Sequence, residues 1–310
     1  MTDIETRILG RTGLPATVLG YGAMELREPP RGRAVPESDA ERILHAVLDR
    51  GINFVDTSID YGMSEERIGR HLSHRRDEFF LASKCGCLVG YEFTEDRVGP
   101  HDYRPDNVVA GVEQSLLRLR TDYLDLVQLH VSPAVEVLER DGTLGTLLDL
   151  KQQGKVRFIG MSGTLPDLPQ QIELGIFDVF QIPYSALERD HENLITRAAQ
   201  AGAGVIIRGG AAKGVPSGAS RPAERHGDLA DAWERAGLDE LLGDMSPMEF
   251  VLRFTISHPD MTTTIVGTVD PEHLDANVRA VVAGPLSPDL YEKAKQRLSA
   301  AGVGPSDEAA

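Results

Sequence analysis

"INFVDTSIDYG", residues 52 to 62, is an apolar run that stops on a cluster of polar side chains. Ile52, Phe54 and Val55 read as a buried strand, and Asp56, Thr57, Ser58, Asp60 and Tyr61 crowd its end. The same design recurs along the chain in "ATVLGYG" (16–22), "FFLASK" (79–84) and "LDLVQLH" (124–130). It continues in "VRFIGMS" (156–162), "FDVFQI" (177–182), "GVIIRG" (204–209) and "TTTIVGT" (262–268). Between most of these runs lie stretches with helical periodicity. "SDAERILHAVLDRG" has Ser38 and Asp39 as cap candidates, Ile43, Leu44, Val47 and Leu48 on one face, and a stop at Gly51. "RPDNVVAGVEQSLLRLRTD" repeats the pattern, with Pro105 near its start.

Strands separated by helices imply a parallel sheet, because a parallel crossover needs a dozen or more residues. Eight such units in 310 residues predict a (β/α)8 TIM barrel, an α/β fold read as a single domain over residues 1–310. "TRILGRTGLPATVLG" predicts a short N-terminal hairpin turning at Gly13. The rival, a doubly wound nucleotide-binding sheet, requires G-x-G-x-x-G opening a helix. "LGYGAMEL" offers Gly20 and Gly22 but has Glu25 at the third position, and "REPPRGRAVPES" after it reads as a loop.

Lys plus Arg number 32 against 48 Asp plus Glu, a net charge of −16. That balance argues against a nucleic-acid partner and against an anionic membrane surface. The two cysteines, Cys85 and Cys87, are too close for an ordinary disulfide and too few for zinc without histidines at ligand spacing, so no metal is expected. "MTDIETRILG" has no apolar core of a signal peptide, and no segment approaches a membrane span. These features together predict a reduced, cytoplasmic protein.

In a barrel, Asp56, Tyr61, Lys84 and His130 converge on one mouth from three consecutive strands. A phenol with a pKa of about 10 is a poor acid or base near neutrality. A lysine ammonium beside it favours the phenolate, and a carboxylate keeps that lysine charged. A neutral histidine can donate to a carbonyl oxygen. Taken singly, the aspartate reads as a turn or cap residue, the tyrosine as packing, the lysine as a surface charge and the histidine as structural. Together they describe proton delivery to an oxygen, with no activated serine or cysteine for nucleophilic attack.

"DTSIDYG", "LASKCG" and "LDLVQLH" closely resemble motifs of the aldo-keto reductase superfamily. The resemblance extends through "LGRTGLPATVLGYGAM", "GKVRFIGMS", "FDVFQIPYSAL" and "TTTIVGTVDPEHLDANVRA", roughly residues 7 to 281. It implies a (β/α)8 oxidoreductase that interconverts an aldehyde or ketone and the alcohol with a nicotinamide cofactor. Tyr61 becomes the proton donor, Lys84 lowers its pKa, Asp56 pairs with Lys84, and His130 orients the carbonyl. A cofactor-loaded redox sensor or regulatory subunit of slow turnover is the alternative. Few aromatics, 5% of the chain, favour a small polar or sugar-like carbonyl substrate.

The same resemblance assigns Gly22, Met24 and Asp56 to the cofactor site and directs Ser162 and Gln181 to the nicotinamide carboxamide. Gly163 stands where relatives usually carry asparagine. Arg208 falls near the position of a stacking aromatic, and Gly209 and Gly210 allow close approach of the pyrophosphate. Gly267, Thr268, His273 and Asn277 match the adenosine-reading close. NADP(H) is the family default and is favoured narrowly. NAD(H) follows closely, because Asp270 lies nearby and His273 replaces the usual cation. Residues 216–244 read as a long loop with one or two helices on the catalytic face, where Trp233 either packs or covers the cofactor. Cys85 and Cys87, beside Lys84, read as small, partly buried fillers, with lining the pocket or sensing oxidation as the other reading.

Overall fold

Side chains alternate across a strand, so in a closed barrel every second residue points inward. The computed structural model describes residues 3–92, 99–217 and 227–306. A hairpin of β1 (Thr6–Ile8) and β2 (Pro15–Thr17) precedes eight parallel strands. These are β3 (Leu19–Gly22), β4 (Phe54–Asp56), β5 (Phe80–Cys85), β6 (Leu124–Leu129), β7 (Val156–Met161), β8 (Val179–Pro183), β9 (Gly204–Arg208) and β10 (Thr263–Val266). They pair in chain order, and β10 closes on β3, giving a (β/α)8 TIM barrel. The stretch 16–22 expected as one strand is two. Its first residues pair antiparallel with β1 through Thr6 and Thr17, and only Leu19–Gly22 joins the barrel.

The inward residues form two layers. Phe54, Phe80, Ala82, Leu126, Phe158, Val179, Ile206 and Ile265 make an apolar layer. Two residues further along their strands stand Asp56, Lys84, Gln128, Gln181 and Arg208. Outward-facing residues such as Val55, Leu81, Val127, Ile159, Val205 and Ile207 belong to a separate, larger core shared with the surrounding helices. One strand parity therefore fills the barrel floor with hydrocarbon and its mouth with polar groups.

The hairpin plugs the floor. Leu9, Leu14 and Ala16 pack into the inner apolar layer, and Arg11 N donates to Gly202 O at 2.9 Å. The turn ends at Gly13 with φ +71°, as its composition predicts. A Cβ on Gly204 would lie 2.7 Å from the Leu9 side chain, so that glycine is what lets the plug seat.

The helix predicted from Ser38 begins instead at Glu37 and runs to Asp49. No side chain caps it. The Pro36 carbonyl accepts from Asp39 N and Ala40 N, and Glu37 and Asp39 become first-turn acids that complement the helix dipole. Pro105 opens the helix Pro105–Leu119 at its first turn. Beyond β9, part of the 216–244 stretch lies outside the described residues. Its helix Gly227–Arg235 carries Trp233, which is buried edge-on against Phe250 (ring centres 6.0 Å apart) and donates to Asp239 at 2.9 Å. The tryptophan is a packing residue.

Leu9 is 1% exposed, so Leu9→Ala leaves a cavity in the floor and is expected to cost about 2–5 kcal/mol. Urea unfolding should show a lower midpoint with an unchanged slope.

Candidate active site

Asp56 is the hub of the polar layer. Its Oδ2 accepts from Lys84 Nζ at 2.6 Å, and its Oδ1 accepts from Gln128 Nε2 and Gln181 Nε2, each at 2.9 Å. Lys84 donates again to the Thr57 carbonyl at 2.8 Å. Both charges are 1% exposed, so each is viable only through the other. Burial opposes the charge on Lys84, yet Asp56 and Tyr61 outweigh it and hold the ammonium above its ordinary value. Sequence reading missed Gln128, although it shares strand parity with Leu126 and His130, and that parity was the available signal.

Tyr61 lies half-buried in the turn after β4, with Lys84 Nζ 5.1 Å from its ring centre. Burial raises its pKa, Lys84 and Arg208 pull it down, and Asp56 and Asp60 push it up. The lysine acts in the expected direction, but the net shift is upward, because burial of the phenol outweighs the cation. His130 stands edge-on to Tyr61, ring centres 6.2 Å apart. Burial drops its pKa to about 3, so its imidazole is neutral at neutral pH. Its Nδ1 lies 3.1 Å from Cys87 Sγ and 3.7 Å from Asp60 Oδ1. Asp60, also missed from sequence, is held by Arg31 at 2.8 Å and Ser58 at 2.6 Å. The Tyr103 hydroxyl donates to the His130 carbonyl at 2.6 Å. Cys85 and Cys87 are both buried free thiols.

The residues assigned to the cofactor ring the same end of the barrel. Gly22 closes β3, and Met24 is half-buried in the 3-10 turn Ala23–Leu26. Ser162 follows β7, and Gly163 N donates to the Gln181 carbonyl at 3.1 Å, tying the ends of β7 and β8 together. The space a side chain at 163 would need is filled by Leu168 and Gln171. Gln181 spends its amide nitrogen on Asp56, and its side-chain oxygen has no partner among the described residues.

Arg208 Nε is buried and has no partner among the described residues, an orphaned cationic donor that fits an acceptor-rich ligand such as a nicotinamide dinucleotide. Gly209 follows at φ +75°, a conformation that favours glycine. Gly210 has a packing reason besides the one expected. It is buried, and a Cβ there would lie 2.1 Å from Thr264 Oγ1, so packing already demands glycine there. At Gly267 a Cβ would lie 2.5 Å from the Gly22 carbonyl, which lets β3 and β10 close together.

Thr268 Oγ1 accepts from Asp270 N at 3.0 Å, and Asp270 caps the helix Pro271–Val282 by accepting from Glu272 N at 2.9 Å. His273, its side chain 70% exposed, lies 3.9 Å from Asp270, and Asn277 is half-buried one turn on. The turn thus consumes the Thr268 hydroxyl, while Ser162, Gln181 and Arg208 gather at the ends of β7, β8 and β9.

The mouth of this closed parallel barrel thus joins a buried aspartate–lysine pair to a phenol and a neutral imidazole. The chain belongs to the aldo/keto reductase family, whose family model matches residues 18–297. It is an NAD(P)H-dependent aldo-keto reductase. It is 28% identical over 291 residues to the uncharacterized oxidoreductase YqkF of Bacillus subtilis, covering 89% of this chain and 91% of the relative. It is 29% identical over 303 residues to the L-galactose dehydrogenase of Arabidopsis thaliana, covering 91% and 89%. The holo form of the aldo-keto reductase AKR11C1 from Bacillus halodurans superposes with a TM-score of 0.83 at 28% identity, covering 95% of this chain and 96% of that one. Among the described residues no helix is long and apolar enough to cross a membrane.

Lys84→Met leaves Asp56 buried with only two amide donors and is expected to cost about 3–5 kcal/mol in chemical unfolding. The double variant Lys84→Met with Asp56→Leu should recover much of that loss, since no unpaired charge remains.

Proposed function

We propose that Tyr61 protonates the oxygen of an aldehyde or ketone while Lys84, charged by Asp56, stabilises the phenolate left behind. The observation that carries this reading is the buried Asp56–Lys84 pair, 2.6 Å apart, with its ammonium beside the Tyr61 ring. His130, neutral and edge-on to Tyr61, donates to the same oxygen and orients it. A nicotinamide cofactor, when bound, would supply the hydride for the carbonyl carbon. Ser162 and the Gln181 oxygen would hold its carboxamide, with Arg208 and Gly209 toward its phosphates, Gly22, Met24 and Gly267 along its path, and His273 and Asn277 at its adenosine end. In the reverse direction the Tyr61 phenolate accepts the alcohol proton. The same reading takes residues 1–310 as one domain.

A small polyhydroxylated carbonyl is the substrate class we favour. Its support is the charged mouth, where Arg31 and Asp60 pair at 2.8 Å beside His130, and the L-galactose dehydrogenase relative. Cofactor choice turns on the helix Pro271–Val282. Asp270 caps it and Glu272 stands in its first turn, with His273 at the position where the family usually carries arginine or lysine, which argues for NADH over a cofactor bearing an added phosphate. A slow sensor is the second reading. It draws support from Gly163, where Leu168 and Gln171 occupy the space of a carboxamide-binding side chain.

Tyr61→Phe is expected to lower kcat for carbonyl reduction by about 10²-fold or more, with NAD(P)H affinity retained in calorimetry. Full activity in the variant would reject the mechanism, and tight cofactor binding without turnover on a sugar-carbonyl panel would select the sensor.

Tyr61 titrates above its ordinary value, and reduction needs it protonated, so kcat/KM for reduction should stay level through neutrality and fall only in strong alkali. His130, with a pKa of about 3, should add no breakpoint between about pH 5 and 8. Side-by-side calorimetric titration should give a lower Kd for NADH than for NADPH, and the opposite order would overturn the assignment to the Asp270 turn.

A further inference from the structure

We propose that Cys87, His101 and His130 form a binding site for one zinc ion per chain, with His130 coordinating through Nδ1. Cys87 Sγ lies 3.1 Å from His130 Nδ1 and 3.6 Å from His101 Nε2, and all three ligand atoms fall within 4.8 Å of one another. A tetrahedral zinc with Zn–S of about 2.3 Å and Zn–N of about 2.0–2.1 Å sets its ligand atoms roughly 3.3–3.6 Å apart. The Cys87–His101 spacing already meets that geometry, Cys87 and His130 must part slightly, and the two imidazoles need close by no more than about 1.5 Å.

Their backbones are braced for it. Cys87 and His101 face one another across an antiparallel bridge, with Leu88 N donating to Pro100 O at 3.0 Å and Asp102 N donating to Gly86 O at 2.8 Å. His130 is held by its own N–H on the Cys85 carbonyl at 3.0 Å and by the Tyr103 hydroxyl on its carbonyl at 2.6 Å. Ligands pre-positioned on rigid elements lose little freedom on binding.

One thiolate and two imidazoles select zinc and its softer congeners over magnesium or calcium. Binding transfers the Cys87 thiol proton to solvent, so the site gains one unit of positive charge, with Asp60 alongside at 3.7 Å from His130 Nδ1. Water completes the fourth position. With Nδ1 taken by the metal, His130 carries its proton on Nε2, so an occupied site also fixes its tautomer. That last consequence bears on the proposed role of His130. The binding itself does not rest on that role.

The full chain, freed of any histidine tag and kept reduced, is titrated with Co²⁺ and then Zn²⁺. The expected result is a near-ultraviolet thiolate-to-cobalt charge-transfer band that saturates at one Co²⁺ per chain and is bleached by an equal amount of Zn²⁺. Cys87→Ser should abolish the band, and Cys85→Ser should keep it. His101→Gln, at a half-buried position that tolerates change, should weaken Co²⁺ binding at least tenfold, about the smallest effect expected even for an outer-shell partner. An absent band at excess Co²⁺ overturns the site, as does undiminished affinity in folded His101→Gln. If Cys87→Ser does not fold, the His101→Gln affinity decides. Circular dichroism and melting of each variant establish which case applies.

Discussion

Two opposite charges sealed from water constrain everything at the mouth of this barrel. An ammonium and a carboxylate that are each 1% exposed lose hydration that only close pairing and extra hydrogen bonds can replace. Asp56 and Lys84 meet that demand with a 2.6 Å contact, two glutamine amides on the aspartate and the Thr57 carbonyl on the lysine. Four strands, β4, β5, β6 and β8, contribute to this one cluster, so displacing any of them strands a charge. The pair locks the register of half the barrel as well as furnishing a cation beside Tyr61.

The cluster exists because strand parity is inherited along the chain. A strand that sends Phe54 inward must send Asp56 inward, and the same holds for Ala82 and Lys84, Leu126 and Gln128, Val179 and Gln181, and Ile206 and Arg208. The apolar layer beneath, sealed by Leu9 and Leu14 of the hairpin, keeps water from reaching the polar layer from below. Floor and mouth are thus two consequences of one alternation.

Burial acts in opposite senses on the two groups facing the open side. It raises the Tyr61 phenol, which keeps the hydroxyl protonated, and it lowers His130, which keeps the imidazole uncharged. Lys84 moderates the first shift without reversing it, because the ring is withdrawn from water more effectively than one cation at 5.1 Å from its centre can offset. Around His130 stand Cys87 and Asp60, 3.1 and 3.7 Å from its Nδ1, and the His101 ring, edge-on with centres 5.6 Å apart.

The eight apolar runs, their helical spacers and the polar residues at their ends were legible in the sequence, because period and composition are local properties of the chain. So were the hairpin turn at Gly13 and the inner face of the helix that carries Ile43 and Val47. The division of residues 16–22 between hairpin and barrel was not legible, since both partners of that pairing lie elsewhere in the chain. Gln128 and Asp60 escaped because their partners, Asp56 and Arg31, are neighbours only after closure. Gly210 answers to Thr264, Trp233 to Phe250, and Cys87 to two histidines 14 and 43 residues away. Local patterning by itself determined the barrel and the Asp56, Tyr61, Lys84 and His130 positions at its mouth. Only the tertiary structure decided which of them touch, because contact distance, burial and the pKa shifts that follow arise between strands distant in sequence.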